Sequence, residues 1–437
     1  MSDFAIRRSF SCSCGRTHST TVNDVITGKG AISRLGEALA RYGARRVFVM
    51  SDPVTYEVAG KGAAELIGSS GMEAVPFVFG VCPKPSEEFV GSAVEHYDSR
   101  CDAIVSVGSG VLCDIGKILA HLTGRPYVMV ATAPSCDAFA SASSSMERDG
   151  LKVSLPTCAP DVIIGDTDIL KTAPDRMLAA GLGDMLAKYV SICEWRISHI
   201  INDEYYCPAI ADMVRLALDK CVKNSGSLMR REDRAVEAVF EGLVLCGAAM
   251  AYAGVSRPAS GNEHYISHLI DMRSLEFGTP GDLHGIQCGV ATLYIARLYE
   301  RLREIRPDRE RALAHARAFD AGKWNDELRG LLGGAAEPMI ALEKEEGKYD
   351  IAGHAKRLER IIARWDDIMA VISEEIPPSK QIEDILLSVG APARLAEIGI
   401  EEELFSILFK ASKDIRDKYV LSRLVWDLGI EELMQKV

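Results

Sequence analysis

The sequence predicts an α/β lobe built on a mainly parallel sheet, followed by an all-helical lobe. Three observations carry this. Short β-rich runs alternate with amphipathic helical patterns up to about residue 167. From residue 168 onward β-branched clusters thin out and helical periodicity takes over. No internal repeat or low-complexity segment interrupts either texture.

The strand runs, in order, are RVFVMSD (46–52), AVPFVFG (74–80), AIVSVGSG (103–110), PYVMVATAPS (126–135) and DVIIGD (161–166). Each is rich in Val, Ile, Phe or Tyr and ends at Asp, Gly, Pro or Ser. Between them AISRLGEALARYG (31–43) and VLCDIGKILAHLTG (111–124) read as helices stopped by glycine. That rhythm implies crossover units and a parallel sheet. The expected division is 1–167 for the α/β domain and 168–437 for the helical one, and the charged stretch 342–368 reads as a solvated helix pair. Two such lobes leave a cleft, the usual place for a cofactor and substrate.

The 437 residues are 48% hydrophobic and 26% charged, which excludes a disordered or collagen-like chain. Acidic residues outnumber basic ones 62 to 50, for a net charge of −12. That surface repels nucleic-acid backbones, so no nucleic-acid partner is expected, and an anionic substrate needs a locally basic pocket. The twelve cysteines are scattered, several within apolar runs such as LVLCGAAM around Cys246. The opening MSDFAIRRSFSCSCG has no apolar leader core, and no run reaches the roughly 18 apolar residues of a membrane span. A reduced, cytoplasmic protein without membrane insertion is expected. Cys12-x-Cys14, with His18 four residues on, invites a zinc reading. The spacing is tighter than in most zinc knuckles and no second pair sits nearby, so a plain leading strand or arm is expected.

The strand AIVSV runs into Gly108-Ser109-Gly110-Val111-Leu112-Cys113-Asp114, and a helix follows. Glycines let the backbone approach a ligand, and first-turn N–H groups face an anion. A purely steric reason for the glycines serves equally well. The pattern is not the Rossmann fingerprint, because the acidic candidate for a ribose, Asp52, lies upstream of the turn. Asp52 either accepts from ribose hydroxyls, favouring NADH over NADPH, or caps a helix. Thr132-Ala133-Pro134-Ser135-Cys136-Asp137, followed by AFASASSS, offers small donors and one carboxylate, or is simply a surface loop.

Three histidines fall in GNEHYISHLIDMRSLEFGTPGDLHGIQCG. His264 and His268 are four apart and share one helix face, while His284 follows a Gly-Thr-Pro-Gly turn. Two histidines from different elements with one carboxylate form a ligand set for a divalent metal. Asp184, in AAGLGDMLAKYV, is the candidate carboxylate, since an unpaired charge in that apolar pattern is costly. Lys188 lies one turn further on.

Together GSGxxxD, TAPSxD, GLGDxLAKY, SRPASGNEHxxSH and HGxQCG resemble the sn-glycerol-1-phosphate dehydrogenases. These belong to the superfamily of iron-type alcohol dehydrogenases, glycerol dehydrogenases and dehydroquinate synthases. The resemblance extends from FSCSCGRTH through DPVTYEVAG (52–60) to IGIEEELF and IRDKYVLSRLVWDLG. It implies a dehydroquinate synthase-like fold with an N-terminal dinucleotide-binding lobe. The metal falls to Asp184, His264 and His284, with zinc the first choice and Ni2+ or Fe2+ compatible with the same set. Asp137, Asp184 and His268 would contact substrate. Gly108, Gly110 through Asp114, Thr132 through Ser135, and Ser141 would line NAD or NADP. The chain departs from the family at Ser109, Val54 and Val420. The implied reaction is reduction of dihydroxyacetone phosphate to sn-glycerol 1-phosphate, with the metal polarising the carbonyl. Arg257 and Lys188 are our candidates for the phosphate. The alternative is a related metal-dependent dehydrogenase of unphosphorylated glycerol or another polyol. A homo-oligomer is compatible with either.

Overall fold

The computed structural model describes residues 6–148 and 151–436. The first five residues of the stretch inspected for a leader lie outside these. The chain forms two compact units: Met1–Met185 with Ala209–Ser256, and Leu186–Pro208 with Arg257–Val437. Composition changes at 167–168, where the strands end; the units follow instead which helices pack beside the sheet. Helix Asp233–Ala253 belongs with the sheet for that reason, and helix Pro208–Asn224 joins it through the Lys220–Glu241 ion pair and the Cys221 thiol on the Ala238 carbonyl.

The first unit opens on a hairpin, β1 (Ser9–Ser11) and β2 (Thr17–Ser19). Its centre is a six-stranded sheet of β3 (Asp24–Gly28), β4 (Arg46–Ser51), β5 (Glu73–Val78), β6 (Ala103–Gly108), β7 (Tyr127–Ala131) and β10 (Val162–Asp166). A second hairpin joins β8 (Ser143–Arg148) to β9 (Leu151–Pro156). The sheet order is β3-β10-β7-β6-β4-β5, and every neighbouring pair is parallel. The five expected strands are present. β3 and both hairpins are additions.

Alternation along the strands sends Val47, Val49, Val105, Val107, Val128, Val130, Val162 and Ile164 into one core with Leu35, Leu39, Ala63 and Ile67. Strands covered on both faces read as continuous apolar runs, which is why the sequence exposes them so clearly. Helix Asp233–Ala253 is long and apolar enough by length and composition to cross a membrane, although Glu237 and Glu241 interrupt its apolar run. It is a core helix: 78% of its apolar window is buried, and Phe240 meets Phe139 at 5.5 Å between ring centroids.

The second unit is helical throughout its described residues. The charged stretch 342–368 differs from a solvated helix pair. It spans the end of helix Ala336–Glu345, all of Ile351–Ala363 and the start of Trp365–Glu375. His354, Leu358, Ile361 and Trp365 are buried within it, because the charges occupy only the outer faces of amphipathic helices.

Candidate active site

In the first unit, β6 leads through Ser109 into the buried helix Gly110–Thr123. Beside it β7 runs into Thr132, whose N–H donates to the Gly108 carbonyl at 2.8 Å. Ser109 Oγ and Ser135 Oγ are 2.7 Å apart. The glycine turn and the Thr132–Ser135 segment therefore form one continuous wall around the helix N-terminus, where backbone N–H groups favour an anion. Packing also demands glycine here, since a Cβ on Gly110 would lie 2.6 Å from Cys136 Sγ. The steric and the binding reasons coincide.

Asp114 turns away from the turn into a buried network. Its Oδ1 accepts from Lys117 Nζ at 3.0 Å and its Oδ2 from the Ser145 N–H at 3.2 Å. Burial pushes the Asp114 carboxyl above its usual range despite the lysine. Lys117 also donates to the carbonyls of Ala138 and Ser143 and to Ser141 Oγ. Lys117 is a positioning residue the sequence gives no reason to select: within an apolar helix pattern it resembles a surface lysine. It fixes the segment that carries Asp137 and Ser141.

Asp184 lies on helix Asp175–Leu186 and has no exposed surface. Its Oδ2 accepts the Asp137 N–H at 3.0 Å. The approach depends on Gly181, where a Cβ would meet the Pro134 carbonyl oxygen at 1.8 Å. Gly181 of GLGD thus has a mechanical purpose: it lets the helix lie directly on the loop after β7. One carboxylate oxygen from each of Asp137 and Asp184 falls within 4.8 Å of the other. Two carboxylates so close, one buried, suit a divalent cation.

Asp52 is the N-cap of the segment that follows β4. Its Oδ1 accepts the N–H groups of Val54 and Thr55, both at 2.8 Å, and Thr55 Oγ1 completes a capping box. Of the two roles open from the sequence, the cap is the one the geometry displays.

In the second unit, His264 starts helix Asn262–Phe277 and His284 starts helix His284–Leu302. Their ring centroids are 4.9 Å apart, nearly perpendicular. His264 Nδ1 lies 2.8 Å from Glu263 Oε1, so Nδ1 carries the proton and Nε2 the lone pair. Ser267 Oγ donates to Gln287 Oε1 at 2.7 Å, which leaves it to accept from His284 Nδ1 at 3.0 Å. His284 therefore also presents Nε2 as its basic nitrogen. His268, half-buried one turn on, stacks against the His284 ring at 5.7 Å. Cys288 Sγ lies 3.6 Å from His284 Nε2, a thiol beside the pair that the sequence reading passed over.

The helix start under His264 is held by buried carboxylates. Glu194 Oε2 accepts the Asn262 N–H and Glu263 Oε1 the Gly261 N–H, both at 2.8 Å. Burial, and then Glu263, push the Glu194 carboxyl up to about 8. Glu194 went unselected because only packing reveals its partners. Lys188, fully buried, donates to the Ala259 carbonyl at 3.0 Å. Arg257 is 1% exposed and bidentate on Glu204 through Nε at 2.7 Å and Nη2 at 2.5 Å, with Nη1 on the Tyr419 carbonyl at 2.9 Å. This unit also contains a cavity of about 480 Å³ lined by Lys348, Arg357, Lys413, Lys418 and Arg423, together with acidic residues including Glu204. It is a locally basic concavity in an acidic chain.

Known proteins resemble this chain over most of its length. The iron-containing alcohol dehydrogenase family profile matches residues 26–174. A protein of Halalkalibacterium halodurans named glycerol-1-phosphate dehydrogenase (NAD(P)+) is 29% identical over 415 residues, covering 94% of each chain. One of that name from Methanothrix thermoacetophila is 34% identical, covering 63% of this chain and 76% of its own. Among solved structures, glycerol dehydrogenase from Schizosaccharomyces pombe superposes with a TM-score of 0.59 at 16% identity, covering 95% of this chain and 91% of that one. At such identity the likeness is one of fold.

Proposed function

The chain belongs to the glycerol-1-phosphate dehydrogenase family, and we propose that it reduces dihydroxyacetone phosphate to sn-glycerol 1-phosphate with NADH or NADPH. The observation that carries this reading is the pair His264 and His284, each with Nδ1 tied back and Nε2 presented. Asp184, His264 and His284 hold one divalent ion, for which we take zinc, and Ni2+ or Fe2+ suit the same donors. When bound, the ion supplies Lewis acidity toward a carbonyl oxygen and the dinucleotide supplies the hydride.

This chain's own residues do the positioning and the proton handling. Asp137 and His268 hold the substrate hydroxyl, and His268 delivers a proton to the oxygen that gains charge as hydride adds. Gly108, Gly110 and the first-turn N–H groups of Val111 and Leu112 receive the dinucleotide phosphates, while Cys113, whose N–H donates to the Ser109 carbonyl, closes the first helical turn beneath them. Thr132, Ala133, Pro134 and Ser135 form the facing wall, while Asp114 and Ser141 keep their places through Lys117. Arg257 is committed to Glu204 and Tyr419, so it contributes potential. Lys188, whose ammonium is held at the Ala259 carbonyl, is our candidate for direct contact with the substrate phosphate.

The test is a substrate pair. NADH oxidation is expected with dihydroxyacetone phosphate and not with dihydroxyacetone. Equal turnover of the two would select the polyol dehydrogenase instead, and phosphate release without net hydride transfer would select a cyclase.

Cofactor preference separates the two roles of Asp52. Asp52→Asn retains a good N-cap while removing the charge that disfavours a 2′-phosphate. The NADH-to-NADPH preference is expected to fall with an unchanged melting temperature. Asp52→Ala loses the cap as well, at a cost of about 1 kcal/mol. A preference ratio unmoved in both variants would leave Asp52 as a cap alone.

A further inference from the structure

The expected leading arm is a hairpin with a donor cluster at its turn. β1 pairs with β2 in the register Ser9↔Ser19, Phe10↔His18 and Ser11↔Thr17. The turn is closed by the Cys12 N–H to the Arg16 carbonyl at 3.0 Å and the Gly15 N–H to the Cys12 carbonyl at 3.1 Å. This tight turn brings the Cys12 and Cys14 sulfurs and a His18 ring nitrogen within 4.8 Å of one another.

His18 is 1% exposed, and its Nδ1 lies 2.8 Å from the Tyr252 carbonyl. A carbonyl can only accept, so the proton sits on Nδ1 and the lone pair on Nε2. That Nε2 is 3.3 Å from Cys14 Sγ. Ligands at tetrahedral zinc, with bonds of about 2.3 Å to sulfur and 2.0–2.1 Å to nitrogen, lie about 3.5 Å apart. A backbone carbonyl behind a histidine is also the usual support that orients a metal ligand. A thiol-to-imidazole hydrogen bond would explain Cys14 and His18 alone. It does not explain why Cys12 converges on the same point.

The hairpin also needs a staple. Its strands are three residues each, and two-stranded hairpins of that size are not stable in water unaided. Its anchors are the Phe10 ring, 5.2 Å from that of Tyr252, and the hydrogen bonds between Tyr252 and Arg7.

We propose that Cys12, Cys14 and His18 bind a structural zinc ion, separate from the ion assigned to Asp184, His264 and His284. Both thiols lose their protons on binding and no electrons are exchanged. The fourth tetrahedral position goes to water or to one further side chain.

The test uses the full chain, purified with zinc and dialysed exhaustively, with metal counted by mass spectrometry. Asp184→Ala/His264→Ala is expected to retain about one zinc per chain, and adding Cys14→Ser to remove it. A metal-free double variant that keeps a folded circular dichroism spectrum overturns the proposal. Cobalt substitution of the wild type supplies a readout independent of that double variant. Thiolate-to-cobalt bands should appear, survive Cys288→Ser and disappear in Cys12→Ser/Cys14→Ser. Bands that depend on Cys288 alone, or no bands, overturn it. His18→Cys should keep the metal where His18→Ala loses it, since a thiolate replaces the imidazole as a zinc ligand and a methyl group does not.

Discussion

His264→Ala is expected to lose bound metal and turnover together, whereas His268→Ala is expected to keep the metal and lose turnover. His264 has the attributes of a ligand: it is 4% exposed and the Glu263 carboxylate stands 2.8 Å behind its Nδ1. His268 lies one turn further along the same face, half-buried, with its ring stacked on His284. Lewis-acid polarisation is worth several kcal/mol, so removing a ligand costs roughly 10²–10³-fold or more in turnover. Asp184→Ala and His284→Ala should behave as His264→Ala does. Glu263→Gln should weaken metal affinity by about 10–100-fold and leave the ligands in place. The competing set is His268, Asp271 and His284, whose donor atoms also lie within 4.8 Å of one another. Metal content measured beside activity decides between them. A site emptied by His268→Ala and left full by His264→Ala would reverse the assignment.

Lys117→Met is expected to destabilise the protein by about 3–5 kcal/mol, the cost of stripping one partner from a buried ion pair. The lysine has no exposed surface, and its loss strips the Asp114 carboxylate of its cationic partner and the Ala138 and Ser143 carbonyls of one donor each. The loss should appear as a lower unfolding midpoint in heat and in denaturant. It should be accompanied by weaker NADH binding, because Lys117 holds Ser141 and the segment bearing Asp137. Asp114→Leu in the same chain should restore part of the stability, since the orphaned charge is then gone. A single variant within a degree of the wild-type midpoint would show that the network contributes nothing.

The parallel sheet was legible in the sequence because strands buried on both faces must be apolar throughout, as RVFVMSD and DVIIGD are. The helical second half was legible for the same kind of reason, since periodicity is local. β3, whose Asp24–Gly28 contains only Val25 and Ile26 as large apolar residues, lacks that signature and emerges only through its pairing with β10. The motif residues stood out because each defies its surroundings: Asp184 is a charge in an apolar helix, and His264 and His268 repeat at one helical turn.

What sequence alone determined, then, was the alternation of strand and helix, the acidic balance, and the set of candidate metal-binding residues. Only the tertiary structure decided their states and partners. Spacing cannot tell which nitrogen of His264 or His284 carries the proton; Glu263, and Ser267 with Gln287, decide that. Nor can it tell that Asp52 caps a helix, that Arg257 is spent on Glu204, or that Lys117 is buried. It also cannot show Cys12, Cys14 and His18 meeting at one hairpin turn against Tyr252, more than 230 residues away. The physical reason is common to all of them. A residue's type and its local period are written in the chain, whereas burial, tautomer and charge partner depend on groups that only folding brings near.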